Sequence, residues 1–197
     1  MAASGLVFYK EASNSGSSGD SNSSSNENID AKEVSGTTDR NIVEYGEHYD
    51  KVGRKKVLKS YVEYIDSNGY KYATDSSGRI ANAQGDLQLG EGIRNPYAQR
   101  TVGGADRLPT DDGGHLIGKQ FNGSGQIDNL VPQNSGINRS GGEWYKMEQN
   151  WANALNEGSK VKVDITPNYS GNVARTHSFN VDYWIDGEKF IQIIMNP

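Results

Sequence analysis

DDGGHLIGKQFNGSGQIDNLVPQNSGINRSGGEWYKMEQNW, residues 111–151, decides how the rest of the chain is read. Residues 111–140 are dense in glycine, asparagine and acids around one histidine and offer only short apolar runs, so they are poor core material. The end of the stretch changes character. Ser140 followed three residues later by Glu143 forms a capping box, and Trp144, Met147, Trp151 and Leu155 then recur at helical spacing, with Gly158 placed to stop the run. The pattern predicts a helix over 141–157 whose apolar face packs on a sheet.

On either side the period falls to two. Downstream, KVKVDI (160–165) alternates polar and apolar residues, and HSFNVDYWIDGEKFIQIIMN (177–196) alternates around Asp186-Gly187, a hairpin signal. Upstream, β-branched and aromatic residues flank Asn68-Gly69, which predicts a β-hairpin over 57–74. Strands, one central helix, then more strands make the fold class α+β. Residues 11–40 are mostly Ser, Asn, Gly and acids and cannot bury enough apolar surface to offset ordering entropy. The expected organisation is a disordered linker or tail over 1–40, the end of a longer protein, followed by one domain over 41–197.

Composition narrows the chemistry. Cysteine is absent, so thiolate nucleophiles and zinc-finger sites are excluded, and any metal must take oxygen or imidazole ligands. No apolar run reaches bilayer length, and MAASGLVFYK lacks the basic start and long apolar stretch of a signal peptide; neither a membrane anchor nor an ordinary leader is expected. A net charge of −5 disfavours a simple basic-patch binder of nucleic acid. Positive charge must then be supplied locally, and Arg94, Arg100, Arg107, Lys119 and Arg139 recur near the middle of the chain.

Hydrolysis of a phosphodiester needs a base for water, a cation to stabilise charge on phosphate and leaving oxygen, and a frame that holds both. Residues 111–151 can supply all three. His115 follows two glycines where a turn is expected to enter a strand, and a neutral imidazole there is either a general base or a structural histidine. His48 and His177 have no comparable setting and read as surface or packing residues. Asn129 and Asn138 bracket a turn, and each is either a neutral oxygen ligand for Mg²⁺ or a turn cap. Glu148 stands beside the Trp144/Trp151 stripe, a carboxylate that either serves a metal-bound water or borders solvent.

Asp-x-Gly-His, Asn-Leu-Val-Pro-Gln, Ile-Asn and an aromatic residue followed by Met-Glu on a helix resemble the DNA/RNA non-specific endonuclease family, the ββα-metal or His-Me finger type. The likeness is good over 100–155 and greatest to nuclease domains at the C-termini of bacterial polymorphic and type VII-secreted LXG toxins. That resemblance implies a DNase, with RNA as a further substrate, using Mg²⁺ or Mn²⁺. It implies His115 as general base, Asn138 as direct metal ligand, Asn129 as an active-site asparagine near the phosphate, and Glu148 as the acid of the metal–water shell. It also implies secretion as part of a larger toxin, action in the cytoplasm of a target cell, and a cognate immunity protein.

One departure matters. Family members typically carry Asp-Arg-Gly-His, whereas Gly113 stands here where a phosphate-contacting arginine is expected. Arg100, Arg107 and Arg139 are the candidates to replace it, and the sequence does not choose among them. The spacing from Asn138 to Glu148 is also slightly longer than in the secreted enzymes. Two other readings keep the fold: a scavenging nuclease with the same chemistry, and a catalytically inactive nucleic-acid-binding or interaction module.

Overall fold

The computed structural model describes residues 40–197, so the linker expected over 1–40 lies, apart from Arg40, outside the described residues. Seven strands form the main sheet in the order β1 (Asn41–Ile42), β4 (Val62–Ile65), β5 (Lys71–Thr74), β6 (Ile80–Asp86), β9 (Val161–Tyr169), β10 (Thr176–Ile185), β11 (Glu188–Met195). Neighbours are antiparallel except β1 and β4. Two ribbons stand apart from it: β2 (Tyr49–Val52) with β3 (Lys55–Leu58), and β7 (Asp111–His115) with β8 (Leu130–Asn134). Among the described residues there are three α-helices, α1 (Pro96–Thr101), α2 (Ser135–Asn138) and α3 (Glu143–Asn156), and two short 3-10 turns at Gly104–Asp106 and Lys119–Phe121.

The alternation read at the C-terminal end is observed on β9 and β10, whereas β11 forms as a strand but fully buries only Ile194. Val161, Val163 and Ile165 on β9, and Phe179, Val181 and Tyr183 on β10, are buried in the core, while Lys162, Asp164, Asn180 and Asp182 between them are exposed or half-buried. Asp186 and Gly187 both take positive φ (51° and 87°) between paired Ile185 and Glu188, the requirement of a tight two-residue hairpin turn.

Helix α3 lies on this face of the sheet. Trp144 meets Phe179 edge-on at 4.8 Å, and Trp151 meets Tyr183 at 5.5 Å, so two fully buried indoles lock the helix onto β10. Truncating either one costs about 3–5 kcal/mol on general grounds. Two details differ from expectation. The helix starts at Glu143 with Gly142 as its N-cap and no side-chain cap bond, so the Ser140 capping box does not form. A Cβ at Gly142 would fall 2.1 Å from the Ile137 carbonyl oxygen, and that tight approach of α2 sets the helix start instead.

The upstream hairpin is also shorter than 57–74. Glu63 to Ile65 pair with Lys71 to Ala73 as read, but Val57 and Leu58 belong to a separate ribbon with Asp50 and Tyr49. Gly53 turns that ribbon at φ 63°. Its strand β2 is exposed on both faces, which is why hydrophobic alternation did not announce it.

Candidate active site

Strand β7, backed by β8, and helices α1, α2 and α3 line the cleft that matters. Register pairs Asp111 with Asn134 and His115 with Leu130, and past His115 the chain dives into the core through the fully buried Leu116 and Ile117. His115 therefore ends a strand and does not begin one, a correction to the expected turn-to-strand position. A cleft of about 740 Å³ opens there, and His115, Asn138 and Glu148 all line it. So do Arg94, Arg100, Arg107, Lys119 and Arg139, against two carboxylates, Asp112 and Glu148. An acidic chain thus carries a locally cationic cleft.

His115 is half-buried, and its Nε2 is buried with no hydrogen-bond partner among the described residues. Burial, aided by the nearby Arg94 charge, lowers its pKa to about 4, so the imidazole is neutral and able to accept a proton at neutral pH.

Asn138 ends α2. Its Nδ2 donates to Asp112 Oδ2 at 3.1 Å, and no hydrogen bond to its Oδ1 is formed among the described residues, which leaves that oxygen to the cleft. Asp112 is itself gripped by the Arg139 fork at 2.9 and 2.7 Å; that hydrogen bonding, joined by Asn138, holds its carboxyl below the usual range. Glu148 receives one long bond, from Trp144 Nε1 at 3.3 Å, and burial lifts its pKa to about 7. A Cβ at Gly118 would sit 2.5 Å from Glu148 Oε1, so glycine there leaves room for the carboxylate. A half-buried carboxylate with little hydrogen bonding, sharing a cleft with a free amide oxygen, suits a hard cation that prefers oxygen. No group of three His, Cys, Asp or Glu occurs among the described residues, so phosphate and water would supply the remaining ligands.

Asn129 is not among the cleft's lining residues. It is fully buried, its Oδ1 accepts from the Ile117 amide at 2.9 Å, and its Nδ2 donates to the carbonyls of Ile117 and Ser124, both at 2.8 Å. The expected place near the phosphate is corrected on that ground: the amide holds the 117–124 loop closed and has no donor left for substrate.

The arginine question also changes. A Cβ at Gly113 would lie 2.4 Å from the Gln99 carbonyl oxygen and 2.5 Å from Gln99 Cα, so the backbone of α1 fills the space an arginine would need. Arg107 braces that contact, donating to the carbonyls of Gln99 and Asp111, and is structural. Arg139 is tied to Asp112, and its side chain is 71% exposed. Arg100 is exposed at the cleft margin. Arg94, which was not among the named substitutes, is the charge that acts on His115; no sequence spacing could show that proximity, because an irregular segment delivers it.

His48 is a packing residue of a particular kind. It is fully buried, its Nδ1 accepts from the Gly46 amide at 3.0 Å, and its Nε2 therefore carries the proton facing Asp128 Oδ2 at 3.3 Å. Tyr45 and Tyr49 also donate to that carboxylate, at 3.0 and 2.7 Å. His177 is exposed, as expected.

A two-stranded ribbon and a helix that bring a neutral histidine, an asparagine and a half-buried glutamate into one cationic cleft are the ββα-metal arrangement of nucleases. Residues 60–187 match the family model described as DNA/RNA non-specific endonuclease, and the chain belongs to that family. It is an endonuclease. The chain is 50% identical over 159 residues to the type VII secretion system protein EssD of Staphylococcus aureus strain USA300, and equally to that of strain NCTC 8325. The match covers 78% of this chain and 26% of EssD, so the chain spans about a quarter of the length of these relatives. Among solved structures, Sda1 nuclease with bound zinc ion superposes with a TM-score of 0.52 at 14% identity, covering 73% of this chain and 76% of that one. NucA from Streptococcus agalactiae with no metal bound gives 0.51 at 17%, covering 75% and 82%. At these identities the likeness is one of fold.

Proposed function

We propose that this chain is a metal-dependent endonuclease that hydrolyses phosphodiester bonds of DNA, and of RNA, with little sequence preference. The observation that carries this reading is the convergence of a neutral, partly orphaned imidazole, a free asparagine oxygen and a half-buried glutamate in one cationic cleft. His115 accepts the proton of the attacking water as a new P–O bond forms, and the sugar oxygen leaves on the opposite side and is protonated from solvent. Asn138, through Oδ1, and Glu148, directly or through water, would hold a divalent cation, Mg²⁺ or Mn²⁺. Bound there, such an ion supplies charge stabilisation to the phosphate and leaving oxygen. Arg94, with Arg100 at the margin, takes the phosphate-contacting role that Gly113 cannot fill. Asp112 positions Asn138, and Asn129 positions the loop after His115. These contacts are to backbone atoms, which carry no sequence information.

The domain is assigned to residues 41–197. Likeness to EssD, a type VII secretion system protein, supports export by that route as part of a larger effector. In that setting the nuclease acts in the cytoplasm of a target cell and is held in check by a cognate immunity protein. Incubating the protein with supercoiled plasmid and with single-stranded RNA, in Mg²⁺ and in excess EDTA, tests the chemistry: cleavage of both only with metal is expected. Undiminished cleavage in EDTA contradicts the metal assignment.

A further inference from the structure

The ribbon β2–β3 plays no part in the site described above. Lys51 to Lys59 reads KVGRKKVLK: five cations and no acid, with Asp50 the one acid on the ribbon, in a chain whose total is 20 lysines and arginines against 25 acids. Lys51, Arg54, Lys55 and Lys56 are exposed, and none of the five forms an ion pair among the described residues. Lys56 Nζ rests 3.5 Å from the centre of the Tyr49 ring, a contact that orders the side chain without neutralising it. Gathering like charges on a four-residue strand pair is unfavourable unless counter-charge arrives from outside.

The ribbon is fixed in place. Tyr49, its first residue, donates to Asp128 at 2.7 Å, and the preceding His48 is clamped to the same carboxylate, next in sequence to Asn129. It also precedes residues 60–187, the part of the chain that the family model matches. A groove of about 1430 Å³ runs between the ribbon and α1, and Arg100 lines both this groove and the His115 cleft. Arg100 on α1 therefore stands between the cations of the reacting centre and those of the ribbon.

We propose that the ribbon β2–β3 is a second nucleic-acid contact, which binds the phosphate backbone of a duplex whose scissile phosphate lies in the His115 cleft. The inference rests on the nuclease reading. Exposed lysines on a short ribbon offer no bidentate readout of base edges, so this contact adds affinity and reach without specificity. Because its energy comes from displaced counterions, it is strongly salt-dependent.

The test uses the full chain carrying His115→Ala, so that substrate stays intact, with and without Lys51→Gln, Arg54→Gln, Lys55→Gln and Lys56→Gln combined. Anisotropy of a labelled duplex of about 30 base pairs and of a six-nucleotide strand is followed between 50 and 300 mM NaCl. The combined variant is expected to bind the duplex about tenfold more weakly at 100 mM salt, with a log–log salt slope smaller by roughly 2 to 4. The six-nucleotide strand loses less. Melting curves check the fold; should the combined variant not fold, Lys55→Gln alone must lower the slope by about 1. Unchanged duplex affinity and slope overturn the proposal. So does retained DNA affinity with lost binding to poly-L-glutamate, which assigns the ribbon to an acidic protein partner. Unsubstituted protein is assayed in parallel on plasmid with Mg²⁺. If it cuts nothing, the nuclease reading has failed; if it cuts while the ribbon variant binds normally, the ribbon alone is wrong.

Discussion

Replacing Asn129 by alanine separates a structural amide from a catalytic one. The side chain is fully buried and makes three hydrogen bonds, to the Ile117 amide, the Ile117 carbonyl and the Ser124 carbonyl. Alanine leaves all three backbone groups without that partner, and each lost bond of this kind costs about 1–1.5 kcal/mol, hence roughly 3–5 kcal/mol in total. For a chain of this length 1 kcal/mol moves Tm by about 2–4 °C, so a fall of roughly 6–20 °C is expected in a metal-free melt. Asn129→Asp keeps the acceptor for Ile117 N–H but sets a carboxylate against two carbonyls, and it should be destabilised as well. Urea unfolding and plasmid cleavage are measured on the same preparations, with activity taken well below the lowered Tm. If Asn129→Ala melts like the parent yet has lost cleavage, the structural assignment is refuted and the amide belongs in the catalytic machinery.

Gly113→Arg restores the residue expected from the family pattern, but its Cβ collides with the backbone of Gln99; both Tm and cleavage should fall, and a gain in activity would show that α1 yields readily. Asp112→Ala frees the Asn138 amide and the Arg139 fork. Because the ion pair is exposed, Tm should move little, while the Mg²⁺ concentration needed for half-maximal cleavage rises about 10–100-fold. In EDTA, stability should respond to pH through two opposed groups. His115, lowered to about 4, binds its proton more readily in the unfolded chain, so its contribution rises with pH across roughly 4 to 6.5; Glu148, raised to about 7, binds its proton more tightly when folded, so its contribution falls across roughly 4.5 to 7. The parent is therefore nearly flat between them, Glu148→Gln exposes the rising limb and His115→Gln the falling one, each by about 3 kcal/mol at most. Denaturant titrations at pH 4.5, 5.5, 6.5 and 7.5 read this directly, and parallel profiles in all three proteins would sink it.

What the sequence disclosed follows from which interactions are local. Helix α3 and strands β9 and β10 carry the clearest periodicity, because each buries one face on a single partner layer, and all three are observed. His115, Asn138 and Glu148 share the cleft because chain-adjacent elements bring them there. The asparagines could not be told apart in advance: both flank turns, and only the tertiary closure of the 117–124 loop occupies Asn129 while leaving the Asn138 oxygen free. Arg94 was equally hidden, since it reaches His115 through space from an irregular segment. The ribbon β2–β3 escaped because, exposed on both faces of β2, it has no apolar alternation; its concentration of lysine was the available signal.

Whether His115 is the base of a metal-dependent cleavage is read directly from plasmid degradation. Supercoiled plasmid is incubated with the parent and with His115→Ala at equal concentration, each in Mg²⁺ and in excess EDTA, after melting curves have shown both to be folded. Degradation by the parent is expected in Mg²⁺ alone, with the variant slower by a factor of about 10²–10⁴. A folded His115→Ala protein that cuts at the parental rate contradicts it.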